Sequence, residues 1–366
     1  MNNPVIIAGA GLSGLHAAFL LTKQGIDCRV LESRDRIGGR ALSTEVPDSP
    51  ELGRFDLGPT WFWPGEHAIA SLVDELKLET FDQYNEGEVL LERFQTQPPE
   101  RCILQGYAED RRMRLKGGVQ SLIDALAATL PPGTIELETR VTEVRLNETG
   151  NVIVEAVRAD GKTESIQARA VILAMPPRLT AKYIAFSPSL PRDLLRDIEN
   201  KPTWMAEQAK AVAVYDRPFW RETGVSGFVL SSVGPLQEIY DASPEQGAGA
   251  LFGFFGTPAA AREALGEEKV KELVLAQLVK VFGEEAGNPE AILYKDWSAD
   301  ADTASEEDLS PIKAYGTYGQ PMVEGEWAQK LLFAGTETDP QYSGHLEGAI
   351  RSAESAVSRI LSMSRT

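Results

Sequence analysis

The run Val5 to Arg40, VIIAGAGLSGLHAAFLLTKQGIDCRVLESRDRIGGR, constrains the fold more than any other part of the chain. Val5 to Ala8 is a short apolar run suited to a strand buried on both faces. Gly9, Gly11 and Gly14 follow at G-x-G-x-x-G spacing. The first permits a tight turn, the second lets backbone approach a pyrophosphate, and the third lets the next helix pack closely on the strand. Good helix formers fill Leu12 to about Gln24, Gly25 stands where a helix would stop, and Asp27 to Leu31 reads as a second strand. Glu32 closes that strand at the place where a carboxylate receives ribose hydroxyls and repels a 2′-phosphate. Strand, glycines, helix, strand and acid in this order predict a dinucleotide-binding βαβ unit, with NAD and FAD both open.

Composition narrows the class. With 54 acidic against 36 basic residues the net charge is −18, which argues against nucleic acid or an anionic membrane surface as partner. A chain of 366 residues, 43% of them hydrophobic, can fill one large or two ordinary domains. Two cysteines, Cys28 and Cys102, make no disulfide framework, and His16, His67 and His345 are too scattered for a metal cluster, so no metal is expected. Neither a secretory leader nor an apolar run of membrane-spanning length is visible, which predicts a cytoplasmic protein; the oligomeric state is open.

Past the second strand, Arg34, Arg36 and IGGR (Ile37 to Arg40) place guanidinium groups and two glycines where they can close over a pyrophosphate from the side opposite the helix. GAGLSGL, LE and RIGGR together resemble the N-terminal signature of the flavin-containing amine oxidase family, which includes monoamine and polyamine oxidases. The resemblance implies that the nucleotide is FAD. It extends over nearly the whole chain. In FDLGPTWFWP it sets Gly58, Pro59, Thr60 and Trp61 beside the flavin ring; at Arg140-Val141 it implies backbone contacts to the adenine; in AVILAMPP, Ala174 lies on a strand leading back to the cofactor. The block LLFAGTETDPQYSGHLEGA reads as strand, glycine turn, loop and a helix from about Gly344. Such a helix start, aimed at the electron-rich edge of a reduced flavin, favours reduction. Within it Glu337 matches the family position near the ribityl or pyrophosphate region.

The expected fold is α/β (α+β overall): a Rossmann-like FAD-binding domain from residues 1–79, 117–199 and 300–366, and a smaller mixed α/β substrate domain from 80–116 and 200–299. The candidate cofactor contacts are Gly9, Gly11, Leu12, Ser13, Gly14, Glu32, Ser33, Arg34, Gly39, Arg40, Gly58, Pro59, Thr60, Trp61, Val141, Ala174, Trp297, Gly335, Thr336, Glu337, Gly344, His345 and Leu346. The candidate catalytic residues are Lys210, His345 and Trp297. Lys210 leads KAVAVYDRPFW and corresponds to the family lysine that places a water and activates oxygen; Trp297 corresponds to the tryptophan packed at the flavin. Phe228, Tyr240, Phe254 and Phe255 are candidate wall residues.

The chain also departs from the family pattern. No cysteine lies near Ser305 to Glu307, so the FAD is expected to be non-covalent. His345 stands where a phenol often stands, and no tyrosine falls near Ala304 to Asp308 on the other wall. The segment between Trp63 and Lys116 is short. The resemblance implies an FAD-dependent oxidase that takes a hydride from the carbon next to an amine nitrogen to flavin N5, with molecular oxygen as second substrate and hydrogen peroxide as product. Two alternatives stand beside it: a flavin oxidoreductase, desaturase or amino-acid oxidase with another substrate, and a non-catalytic FAD-binding protein.

Overall fold

A computed structural model describes residues 3–309 and 318–363. Its centre is a five-stranded parallel sheet in the order Leu331–Phe333, Ala170–Leu173, Val5–Ala8, Cys28–Leu31 and Ile135–Glu136. All four residues of Val5–Ala8 are buried, as a strand covered on both faces requires. Val5 and Ile7 pack with Leu15, Ala18 and Leu21 of the helix Leu12–Lys23, and with Ile350, Ala353 and Val357 of the final helix Leu346–Met363. Ile6 and Ala8 face the other way, against Val144 and Val154 of a four-stranded sheet.

A seven-stranded sheet runs Ala291–Asp296, Ala209–Tyr215, Gly249–Phe255, Leu236–Asp241, Val225–Ser231, Glu88–Glu92 and Glu100–Cys102. Ala209–Tyr215 is buried along its whole length. Ala211 and Ala213 point to the helix Glu267–Phe282 through Val270, Val274 and Leu278, whereas Val212 and Val214 point to Phe55, Leu57 and Phe252. The even-numbered residues of this strand therefore face the nucleotide-binding layers.

The strands Val152–Arg158 and Ala209–Tyr215 and the helix Glu267–Phe282 have the bounds that their patterns predict. The helix expected from Ala68 to Leu78 spans His67–Glu75. The polar stretch Phe81 to Gly106 holds Glu88–Glu92 and Glu100–Cys102, which lie at one edge of their sheet and need little apolar alternation. Leu236–Asp241 and Ala291–Asp296 are further strands that the pattern does not reveal.

The glycine spacing has a direct steric cause. A Cβ at Gly14 would stand 2.0 Å from the Gly9 carbonyl oxygen, so only glycine lets the first helix lie this close to the turn. Gly9 itself has φ +107°. Gly14→Ala is expected to lower the unfolding free energy in a urea titration by about 1–3 kcal/mol. Alanine is the better helix former, so a stabilised variant would disprove the contact.

Candidate active site

One cavity of about 420 Å³ runs between the glycine turn and an aromatic end under the seven-stranded sheet. At the first end the helix Leu12–Lys23 starts at Gly11 with no side-chain cap, so its leading N–H groups are available to an anion. Gly11 bridges to Gly38, and the Gly38 N–H donates to the Ala10 carbonyl at 2.8 Å, which fixes the IGGR turn opposite the helix start. The Glu32 carboxylate accepts from the Ala10 N–H at 2.7 Å and the Arg34 N–H at 2.9 Å. It is thus oriented by backbone while still lining the cavity. Arg34 reaches Asp300 at 2.6 Å, and Arg140 reaches Asp302 at 2.7 Å.

Midway, Arg40 donates to both oxygens of Glu337, at 2.6 and 2.9 Å. Glu337 is wholly buried and also accepts from the Trp204 N–H at 3.0 Å, while Arg40 reaches the Trp204 carbonyl at 3.2 Å. A three-way joint results between the IGGR turn, the Trp204 loop and the GTET turn. Trp204 then lies against Gly344, where a Cβ would be 2.5 Å from its ring. Ser352 of the final helix contacts Ser13 Oγ at 3.1 Å and accepts from the Gly335 N–H at 2.9 Å, tying the two helix starts together.

At the aromatic end, Lys210 is 2% exposed. Its Nζ donates to the Gly58 carbonyl at 2.9 Å and Thr60 Oγ1 at 2.5 Å, and lies 3.9 Å from the centre of the Phe252 ring. Burial, with Arg114 repulsion opposed by the Asp56 carboxylate, brings its pKa down to about 7. Trp297 lines the cavity and donates its indole N–H to the Leu57 carbonyl at 3.0 Å. His345 stacks on Trp63 with ring centres 5.1 Å apart, and its Nδ1 meets Glu66 Oε1 at 2.5 Å.

The cavity brings together Gly9, Gly11, Leu12, Ser13, Glu32, Ser33, Arg34, Gly39, Arg40, Gly58, Pro59, Thr60, Trp61, Val141, Ala174, Lys210, Trp297, Gly335, Thr336, Gly344, His345 and Leu346. Two candidates stand behind its wall: Gly14 is in the strand–helix contact, and Glu337 is committed to Arg40 and Trp204. Of the aromatic wall candidates Phe254 lines the cavity. Phe228 and Tyr240 stack on each other at 4.8 Å behind Phe252, and Phe255 packs into the core beneath the helix Glu267–Phe282. Trp63, Met175, Trp204, Gln208 and Phe252 are wall residues that sequence reasoning missed. Gln208 and Phe252 were within reach, being two positions from Lys210 and Phe254 and so directed to the same strand face. Trp204, in an irregular loop, carried no such signal.

Two measurements test this geometry. Glu337→Ala leaves Arg40 and the Trp204 amide without their acceptor and is expected to cost about 3–5 kcal/mol in urea unfolding. For Lys210 the folded pKa lies below the unfolded one, so between about pH 7 and pH 10 the unfolded chain holds a proton that the folded chain lacks. This lysine therefore adds stability as pH rises, by up to about 1.4 kcal/mol per unit. Lys210→Met is expected to be stabilised relative to wild type near about pH 6, with an advantage that shrinks toward pH 10. An advantage independent of pH would contradict the buried, weakly basic amine.

Comparison with known proteins places this geometry. Residues 90–361 match the family model for flavin containing amine oxidoreductases, and residues 7–76 match that of an NAD(P)-binding Rossmann-like domain. The chain is 26% identical to putrescine oxidase of Kocuria rosea, covering 98% of this chain and 95% of that protein. It is also 26% identical to an L-amino acid dehydrogenase of Synechocystis sp., covering 98% and 94%. The alignment to the Kocuria protein occupies 474 positions against 366 residues here, so that relative carries insertions. Among solved structures, cyclohexylamine oxidase from Brevibacterium oxydans shares the fold with a TM-score of 0.80 at 21% identity over 100% of both chains. Putrescine oxidase bound to putrescine does so at 0.78 and 23%, over 99% of both. With most of its length matched by the family model and its cavity built on the same Rossmann-like layer, the chain belongs to the flavin-containing amine oxidoreductase family.

Proposed function

We propose that this chain binds FAD non-covalently and oxidises an amine at the aromatic end of the cavity. The residues present fit the dinucleotide: an uncapped helix start for the pyrophosphate, a buried carboxylate at the ribose position, and Gly11 and Gly39 with room for a close approach. Cys28 is buried, with its thiol pushed up to about 11 by burial, and neither it nor Cys102 lines the cavity, which supports a dissociable cofactor. FAD held by the Gly11 helix start, Glu32 and Gly39 would supply a hydride acceptor for the carbon next to the nitrogen, with oxygen as final acceptor and an imine, then an aldehyde or ketone, and hydrogen peroxide as products.

The observation that carries this reading is Lys210. A lysine whose pKa burial brings down to about 7, set inside an aromatic wall in the same cavity as the uncapped helix start, is a candidate for a chemical role. To its Nζ, held by Gly58 and Thr60, we assign the role that the family resemblance implies, holding a water and activating oxygen. Trp61, Trp63, Phe252 and Phe254 keep the slot dry. Putrescine, the ligand of one structural relative, is a first substrate to try.

Amino acids are a second class to try, since an L-amino acid dehydrogenase is among the relatives. No helix among the described residues is long and apolar enough to cross a membrane. The two unpaired cysteines suit a reducing, cytoplasmic setting.

The test is anaerobic mixing of the yellow protein with a panel of amines and amino acids, watching the flavin band bleach, followed by peroxide release in air. Lys210→Met is expected to keep its FAD and lose at least about tenfold in rate. A colourless protein, or one bleached by no member of the panel, would defeat the proposal.

A further inference from the structure

The cavity that holds Lys210 carries a second polar arrangement. The segment Trp63 to Glu66 precedes the helix His67–Glu75, and Glu66 is 3% exposed. One of its oxygens accepts the Trp63 N–H at 2.9 Å, and the other meets His345 Nδ1 at 2.5 Å. A carboxylate only accepts, so Nδ1 carries the hydrogen and Nε2 keeps its lone pair. Nδ1 is taken by the buried acid, His345 lines the cavity, and 38% of its side chain is accessible, which leaves Nε2 as the nitrogen free to meet a substrate.

We infer that Glu66 and His345 form a base dyad that takes a proton from the substrate's ammonium group as it binds. The inference rests on the amine-oxidase reading above. An amine near neutral pH arrives as a cation with no lone pair, and hydride loss from the neighbouring carbon needs that lone pair. In the step, an ammonium N–H bond breaks and a bond from Nε2 to that hydrogen forms. The positive charge moves to the imidazole, where the Glu66 carboxylate offsets it, and no electrons change hands. The accessible ring edge then returns the proton to solvent. Glu66 acts through His345 and is a positioning residue.

Among the described residues, Glu66 is the charged group that acts on the ring. Trp63 stacks on one face, and the Tyr342 ring stands 6.3 Å away from the loop leading into the final helix. Glu347, the nearest carboxylate on that helix, is taken up by the Ala68 and Ile69 amides at 3.1 and 2.9 Å. Lys210 is held on Gly58 and Thr60. The hydrogen bond from Glu66 raises the His345 pKa above its ordinary value, opposed by partial burial.

The experiment follows kcat/KM against pH with putrescine and benzylamine in wild type, Glu66→Gln and His345→Gln; glutamine at 345 keeps a donor toward Glu66 without a basic nitrogen. Wild type is expected to be flat between the raised histidine pKa and the amine's own, near about 10, and to fall on the acid side. In Glu66→Gln the acid limb moves to lower pH. In His345→Gln only the free neutral amine reacts, so the plateau becomes a slope of about tenfold per pH unit. Independently of turnover, an NMR titration of a protein with three histidines reads the His345 pKa directly, and it is expected to fall in Glu66→Gln. Variants that lose rate with an unchanged profile, or a histidine pKa indifferent to Glu66, would overturn the dyad and leave the oxidase reading standing. A wild type that turns over no amine would overturn both.

Discussion

The two-pronged ion pair between Arg40 and Glu337 holds the rest of the site in register. Its partners are 297 positions apart in sequence, and they join the glycine turn near the start of the chain to the turn before the final helix. Burying a carboxylate completely is costly on its own, and the attraction to one guanidinium offsets this only when every lone pair is used. Here the Trp204 amide uses the remaining capacity, so the pair also fixes a loop from the second sheet. Trp204 in turn packs on Gly344, which sets where the final helix begins and which amides its start presents to the cavity.

Around that joint, the walls move two proton affinities in opposite directions. Burial brings Lys210 down toward neutrality, and hydrogen bonding to Glu66 lifts His345. Two bases that would differ widely in water are thereby brought closer in proton affinity along one cavity, a pattern that suits chemistry near pH 7. The two differ in access to bulk solvent: Lys210 is 2% exposed at the cavity wall, whereas 38% of the His345 side chain is accessible.

Much of this was legible in the residues because backbone geometry demanded particular side chains. Gly14 is dictated by a contact too close for a Cβ and Gly9 by its positive φ, Gly11 leaves room beside the helix start, and Glu32 is set by its place at a strand end. Lys210 stood out as a charge at the head of a strand otherwise apolar throughout. What stayed hidden depends on contacts far apart in sequence. Glu66 looks like an ordinary acid before a helix until the fold brings His345 to it across 279 positions. Trp204 acquires meaning only from Arg40, Glu337 and Gly344. Glu337 was read from its place near the cofactor's ribityl or pyrophosphate region; that its oxygens also serve Arg40 and the Trp204 amide is a pairing that spacing alone does not carry.

The strand order of the parallel sheet also bears on when the molecule becomes functional. Val5–Ala8 has Ala170–Leu173 as one neighbour, which in turn needs Leu331–Phe333, and Ser13 waits for Ser352. On the ribosome the glycine turn emerges first, yet the segments that complete its surroundings are among the last to be made. A nascent chain stalled before the final helix would leave the glycine turn without the Ser13–Ser352 contact and the layer that covers it.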